Sequence, residues 1–187
     1  FEAGAALTPV IEAGIREYRQ ELIPKLEHLL CYFLALAHFG TGDLPRCLHW
    51  LNKILNDLRS VQWRDIRVFS LLLNLIVHYE RGNTDHIEYA VRSAYRYLLK
   101  NRHLYGFETI LISFITKELP GLTSAPKRKE AFLRLKQQLE RVFEKEPLEK
   151  SVLYYFDILS WLESKIENRP FAEMVREKVK QSIKATT

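Results

Sequence analysis

An all-α fold of stacked helical hairpins is what this sequence predicts, and three observations carry the prediction. The stretch Leu29 to Leu55, LLCYFLALAHFGTGDLPRCLHWLNKIL, reads as two helices joined by a tight turn at Gly42. About 40 residues later the pattern returns as Val68 to Leu99, with Gly82 standing where Gly42 stood. The third observation is an alternation. CYFLALAHF, VFSLLLNLIVHY, ETILISFI and VLYYFDILSWL are apolar nearly all round, whereas the segments that follow them are amphipathic. Helices apolar on every side are buried on every side, so the first helix of each pair is expected inside and the second outside.

Each element has its own signals. Residues 1–7 (FEAGAAL) read as a linker or cloning remnant, and the chain as part of a longer protein. Thr8-Pro9 starts a helix, with proline tolerated in its first turn. Val10, Ile11, Ile15, Tyr18 and Leu22 follow at helical spacing. Pro24 interrupts the path, and Lys25 to Phe39 forms the next helix. Asp85 with Glu88 makes a capping-box start for the second outer helix. Leu119-Pro120-Gly121 stops the helix from Phe107, and Ser124 with Pro126 starts the next, Lys127 to Lys145. Ser151 to Ile166 reads as one inner helix. Asn168-Arg169-Pro170 makes the last turn, and Phe171, Met174, Val175, Val179 and Ile183 line one face of the final helix. That helix is expected to close the stack with a polar outer side. The hairpins fall at about 24–58, 65–102, 105–145 and 148–184 within a single domain, 8–187.

Leu29 to Leu55 resembles a tetratricopeptide-type repeat. Ala35 sits where that family has its small first-helix residue, Gly42-Asp43-Leu44 at its turn, and Cys47 at the small position of the second helix. In the second copy Leu75 replaces Ala35. The spacing exceeds the family's 34 residues, which points to a diverged, long-helix relative. The resemblance implies a right-handed superhelical stack of about four antiparallel hairpins. It also implies a non-catalytic scaffold that binds another protein or peptide, with self-association a further possibility.

Composition narrows the classes. Seven glycines and seven prolines are too few for a turn-rich all-β chain, and 22 aromatic residues exclude a solvating disordered tail. The net charge of +5 permits acidic partners without demanding them. No apolar run approaches the roughly 18 residues that cross a membrane, so no membrane insertion is expected. Cys31 and Cys47 are offset by about 7–8 Å along the hairpin axis, poor geometry for a bridge. Both read as buried thiols of a cytoplasmic, reducing compartment.

Three candidate sites remain. His28, His38, His49, His78 and the two cysteines lack the tight spacing of zinc ligands, so no metal site is assigned. No nucleophile elbow, phosphate loop or H-E-x-x-H motif is present, and no enzyme activity or cofactor is expected. Glu144, Glu146 and Glu149 read as solvated charges. Arg92, Arg96 and Lys100 recur every four residues as a basic stripe, an alternative site for nucleic acid. Lys127, Arg128 and Lys129 open a helix, where positive charge opposes the dipole, which hints at an acidic partner. The preferred partner surface is a concave apolar face of Leu29, Tyr32, Leu36 and Phe39 in the first hairpin and Phe69, Leu72, Ile76 and Tyr79 in the second. A filled version of the same face is equally compatible with the pattern.

Overall fold

The computed structural model describes residues 1–57, 59, 63–82, 89, 90, 92, 94, 96, 97 and 106–186. Every regular element among them is helical, as an all-α chain requires. The chain divides into two compact units, Phe1–Ala94 and Tyr95–Thr187.

The first unit contains α1 (Glu2–Ala6), α2 (Thr8–Glu17), α3 (Pro24–Gly40), α4 (Leu44–Asn56) and α5 (Arg64–Glu80). Helices α3 and α4 pack as neighbours around a turn at Gly42, whose φ of 79° suits glycine and penalises any side chain. Asp43 caps α4 by accepting from the amide of Arg46 at 3.1 Å. Ala35 and Cys47, the small residues of the two helices, are both wholly buried. Trp50, Tyr32, Leu51 and Ile54 of the same two helices are buried as well.

The linker expectation for residues 1–7 is corrected. Glu2–Ala6 is helical and packs on α3, because small residues let the two backbones approach. A Cβ on Gly4 would lie 3.1 Å from Ala37, and one on Gly40 would overlap the Phe1 ring. Helix α2 is held to α3 by a buried hydrogen bond of 3.0 Å between Thr8 Oγ1 and His38 Nε2.

Burial runs differently along α5 and α3. Residues 70–77 of α5 are buried without interruption. On α3, by contrast, Leu26 and Phe33 lie one heptad apart on an exposed side, with Phe33 half open to solvent.

The second unit contains α6 (Gly106–Ser113), a π-helical turn (Phe114–Glu118) running into a 3-10 turn (Leu119–Gly121), α7 (Ala125–Lys145), a 3-10 segment (Glu149–Tyr154), α8 (Ile158–Glu167) and α9 (Phe171–Thr186). An aromatic ladder knits its core. The rings of Phe114 and Phe132 lie 5.2 Å apart, and Phe132 meets Trp161 edge-on at 5.8 Å. Pro120 has no N–H to continue the helix. Just before it, Thr116 turns its hydroxyl back to the Ile112 carbonyl at 2.7 Å.

The single inner helix expected over Ser151–Ile166 is two elements. Asp157 takes the N-cap of α8, accepting from the Ser160 amide at 3.2 Å and the Ser160 hydroxyl at 2.8 Å. A carboxylate that bonds its own downstream backbone favours a helix start over continuation. Asn168 then adopts the left-handed conformation, φ 54°, and turns the chain into α9.

Candidate interaction surfaces

The predicted concave face is largely sealed. Tyr32, Phe39, Leu72 and Ile76 are buried, and Tyr32 and Ile76 have no exposed surface at all. Leu29, Leu36, Phe69 and Tyr79 are half-buried. Of the two readings of this face, open or filled, the burial of these eight residues fits the filled one. On the helical wheel Tyr32, Leu36 and Phe39 share a flank with Cys31 and Ala35, and α3 packs against α4, α5 and α1.

Of the basic stripe, Arg92 and Arg96 are helical and exposed, on either side of the boundary between the units, and Lys100 lies outside the described residues. The Asp85/Glu88 capping box also lies outside them. Lys127, Arg128 and Lys129 are exposed in the first turn of α7, where Ser124 makes no side-chain cap.

His28 and His38 have polar partners. His28 Nε2 lies 3.0 Å from Asp57, which also receives the guanidinium of Arg59 at 2.6 Å. Arg59 reaches on to Glu27 at 3.0 Å, so the knot ties the end of α4 to the start of α3. Hydrogen bonds from Arg59 hold the Asp57 carboxyl well below the usual carboxylate range. Burial lowers the His38 pKa, with Asp43 opposing in part. Cys31 and Cys47 are free and buried, and burial pushes the Cys31 thiol up to about 11 and Cys47 higher still. Such thiols are poor nucleophiles. Among the described residues no three His, Cys, Asp or Glu side chains gather into a metal-binding cluster. No helix among them is long and apolar enough to cross a membrane.

The surface feature that stands out is a cleft in the second unit. It lies between the 3-10 segment and α9 and has a volume of about 500 Å³. Leu153 and Tyr154 form one wall, and Val175, Val179 and Ile183 the other. Tyr154 is 89% exposed, Val179 52% and Ile183 62%. Of the apolar face read from the sequence, Met174 is buried and Val175 half-buried, while Val179 and Ile183 are exposed, because α9 is buried only through its first turns. Pinning explains the geometry. Lys178 reaches the Asp157 carboxylate at 2.8 and 2.9 Å, while Arg169 gathers Glu167, Glu173 and Glu177 at the base of the helix.

Sequence reasoning missed this cleft by reading Tyr154 as part of a continuous inner helix. The Asp157-x-x-Ser160 spacing, an N-cap signature in mid-segment, was the available signal. A second depression of about 470 Å³ in the first unit is more polar, lined by Glu12, Arg46, His49 and Trp50 among others.

No protein-family model matches the chain, and no curated protein or solved structure is significantly similar to it.

Proposed function

We propose that the chain is a non-catalytic protein-interaction module, a scaffold built from diverged tetratricopeptide-like hairpins. The proposed arrangement is the right-handed superhelical stack of about four such hairpins. Support for the repeat reading comes from the α3–α4 pair, with Gly42 at its turn and the small Ala35 and Cys47 buried between its helices.

One observation carries the interaction reading: the cleft of the second unit presents Tyr154, Val179 and Ile183 to solvent on facing walls. Clustered apolar side chains on a concave, polar-rimmed surface mark binding sites more often than scattered exposed ones do. Photo-crosslinking tests it. A photoreactive residue at Tyr154 or Val179 should give protein adducts in a lysate of the source cells, and one at the exposed Gln137 should give none. Absence of adducts at both cleft positions would remove the reading.

Exposed Arg92 and Arg96 favour a second reading, binding of nucleic acid through the basic stripe. Phosphate contacts weaken steeply with salt, so oligonucleotide binding that falls with ionic strength and is lost in Arg92→Glu/Arg96→Glu would support it. No binding at low salt would end it.

A further inference from the structure

The charge around the cleft narrows what it holds. After Glu177 the helix α9 carries Lys178, Lys180 and Lys184 and no acid. Steps of 100° per residue place Val175, Val179 and Ile183 in one stripe, with Lys178 on one flank and Lys180 on the other. Lys150 stands on the opposite wall and is exposed. Four of the nearby acids are already engaged. Asp157 is held by Lys178 and Ser160, Glu149 by the backbone amides of Gly106 and Phe107, and Glu173 and Glu177 by Arg169.

We propose that this cleft docks an acidic amphipathic helix of a partner protein, its apolar stripe against Val179 and Ile183 and its carboxylates on Lys150 and Lys180. The assignment rests on the interaction reading above and names the partner's chemistry. From Val175 to Ile183 the stripe runs about 12 Å, two turns, which matches apolar residues at i, i+4 and i+7 of a docking helix. A second copy of the chain is the wrong occupant, since α9 against α9 would set Lys178, Lys180 and Lys184 against their own kind. A lipid surface fits poorly as well. Val179 and Ile183 line a cleft that Leu153 and Tyr154 also line, rather than standing alone on a flat apolar face.

The probe is a pair of fluorescent 18-residue designed helices with one leucine stripe, flanked by Glu in one and by Lys in the other. Titrated with the whole chain, the Glu helix should bind saturably and roughly tenfold more tightly than the Lys helix, as two or three rim charge pairs supply. The preference should shrink as salt rises. Val179→Glu should abolish binding of the Glu helix, and Lys150→Glu/Lys180→Glu should reverse the preference. Both variants alter exposed side chains, and an unchanged melting temperature checks that they fold.

Equal binding of the two helices, or binding of neither, overturns the proposal. Crosslinked adducts persisting at Tyr154 would then leave the broader interaction reading standing. Vesicles containing a third phosphatidylserine supply another outcome, because Val179-dependent vesicle binding without helix binding overturns the proposal in favour of a membrane. Sedimentation showing a dimer broken by Val179→Glu overturns it in favour of a second copy.

Discussion

The carboxylate of Glu149 accepts the amide of Phe107 at 2.8 Å, and its other oxygen accepts the amide of Gly106 at 3.0 Å. An acid read from the sequence as solvated is thus the N-terminal cap of α6, supplied from a segment about forty residues away. First-turn amides of a helix have no partner within it, and a negative charge there also meets the positive end of the dipole. Glu149→Ala should cost roughly 1–2 kcal/mol, the range for loss of a cap. Glu149→Gln should cost less, since it keeps one acceptor. Urea unfolding of the three proteins measures the differences, and an unchanged midpoint for Glu149→Ala would show that water replaces the cap at no cost.

Ala35→Phe tests the close approach of α3 and α4. Ala35 has no exposed surface, so the added ring must displace its neighbours. A loss of about 1–3 kcal/mol is expected from overpacking. The measurement is thermal unfolding followed by circular dichroism. A wild-type melting temperature would place a void beside Ala35.

The pairing of His38 with Thr8 predicts a pH dependence. Burial lowers the His38 pKa in the folded chain, so below about 6.5 the unfolded chain binds more protons. Stability from this group is full above that pH and is lost as pH falls towards the lowered folded value. The melting temperature should therefore fall between pH 7.5 and 5 more steeply in the wild type than in His38→Gln. Parallel curves would assign the acid sensitivity elsewhere.

Lys127→Glu should stabilise the chain. Lys127 sits exposed in the first turn of α7 among Arg128 and Lys129, facing the positive end of the helix dipole. Reversing its charge should gain about 0.3–1 kcal/mol at low ionic strength and less in salt. Denaturant midpoints at two salt concentrations give both numbers.

Much of the helical skeleton was legible beforehand. The Gly42 turn, the α3–α4 pair and the turn at Asn168 follow from local chemistry: a left-handed residue, a proline near a helix start, an apolar period of 3.6. The continuous burial of residues 70–77 follows from a run with almost no polar side to expose.

Two misreadings have the same origin. Ser151–Ile166 carries enough apolar residues for one helix, yet Asp157 starts a new one by capping Ser160, and α9 is then tied to that cap through Lys178. Residues 1–6 carry a weak helical pattern, and their place on α3 depends on Gly4 and Gly40 being bare where Ala37 and Phe1 arrive.

Periodicity reports which side of a helix is apolar, as Val175, Val179 and Ile183 do along α9. Whether an apolar side is covered depends on what packs against it, and that is a property of elements far apart in the chain. Tyr32 and Phe39 are apolar and sealed, while Val179 and Ile183 are equally apolar and open. The same hydropathy thus yields a core in one unit and a cleft in the other. The difference arises because burial is the sum of contacts made after folding, and no single helix encodes it.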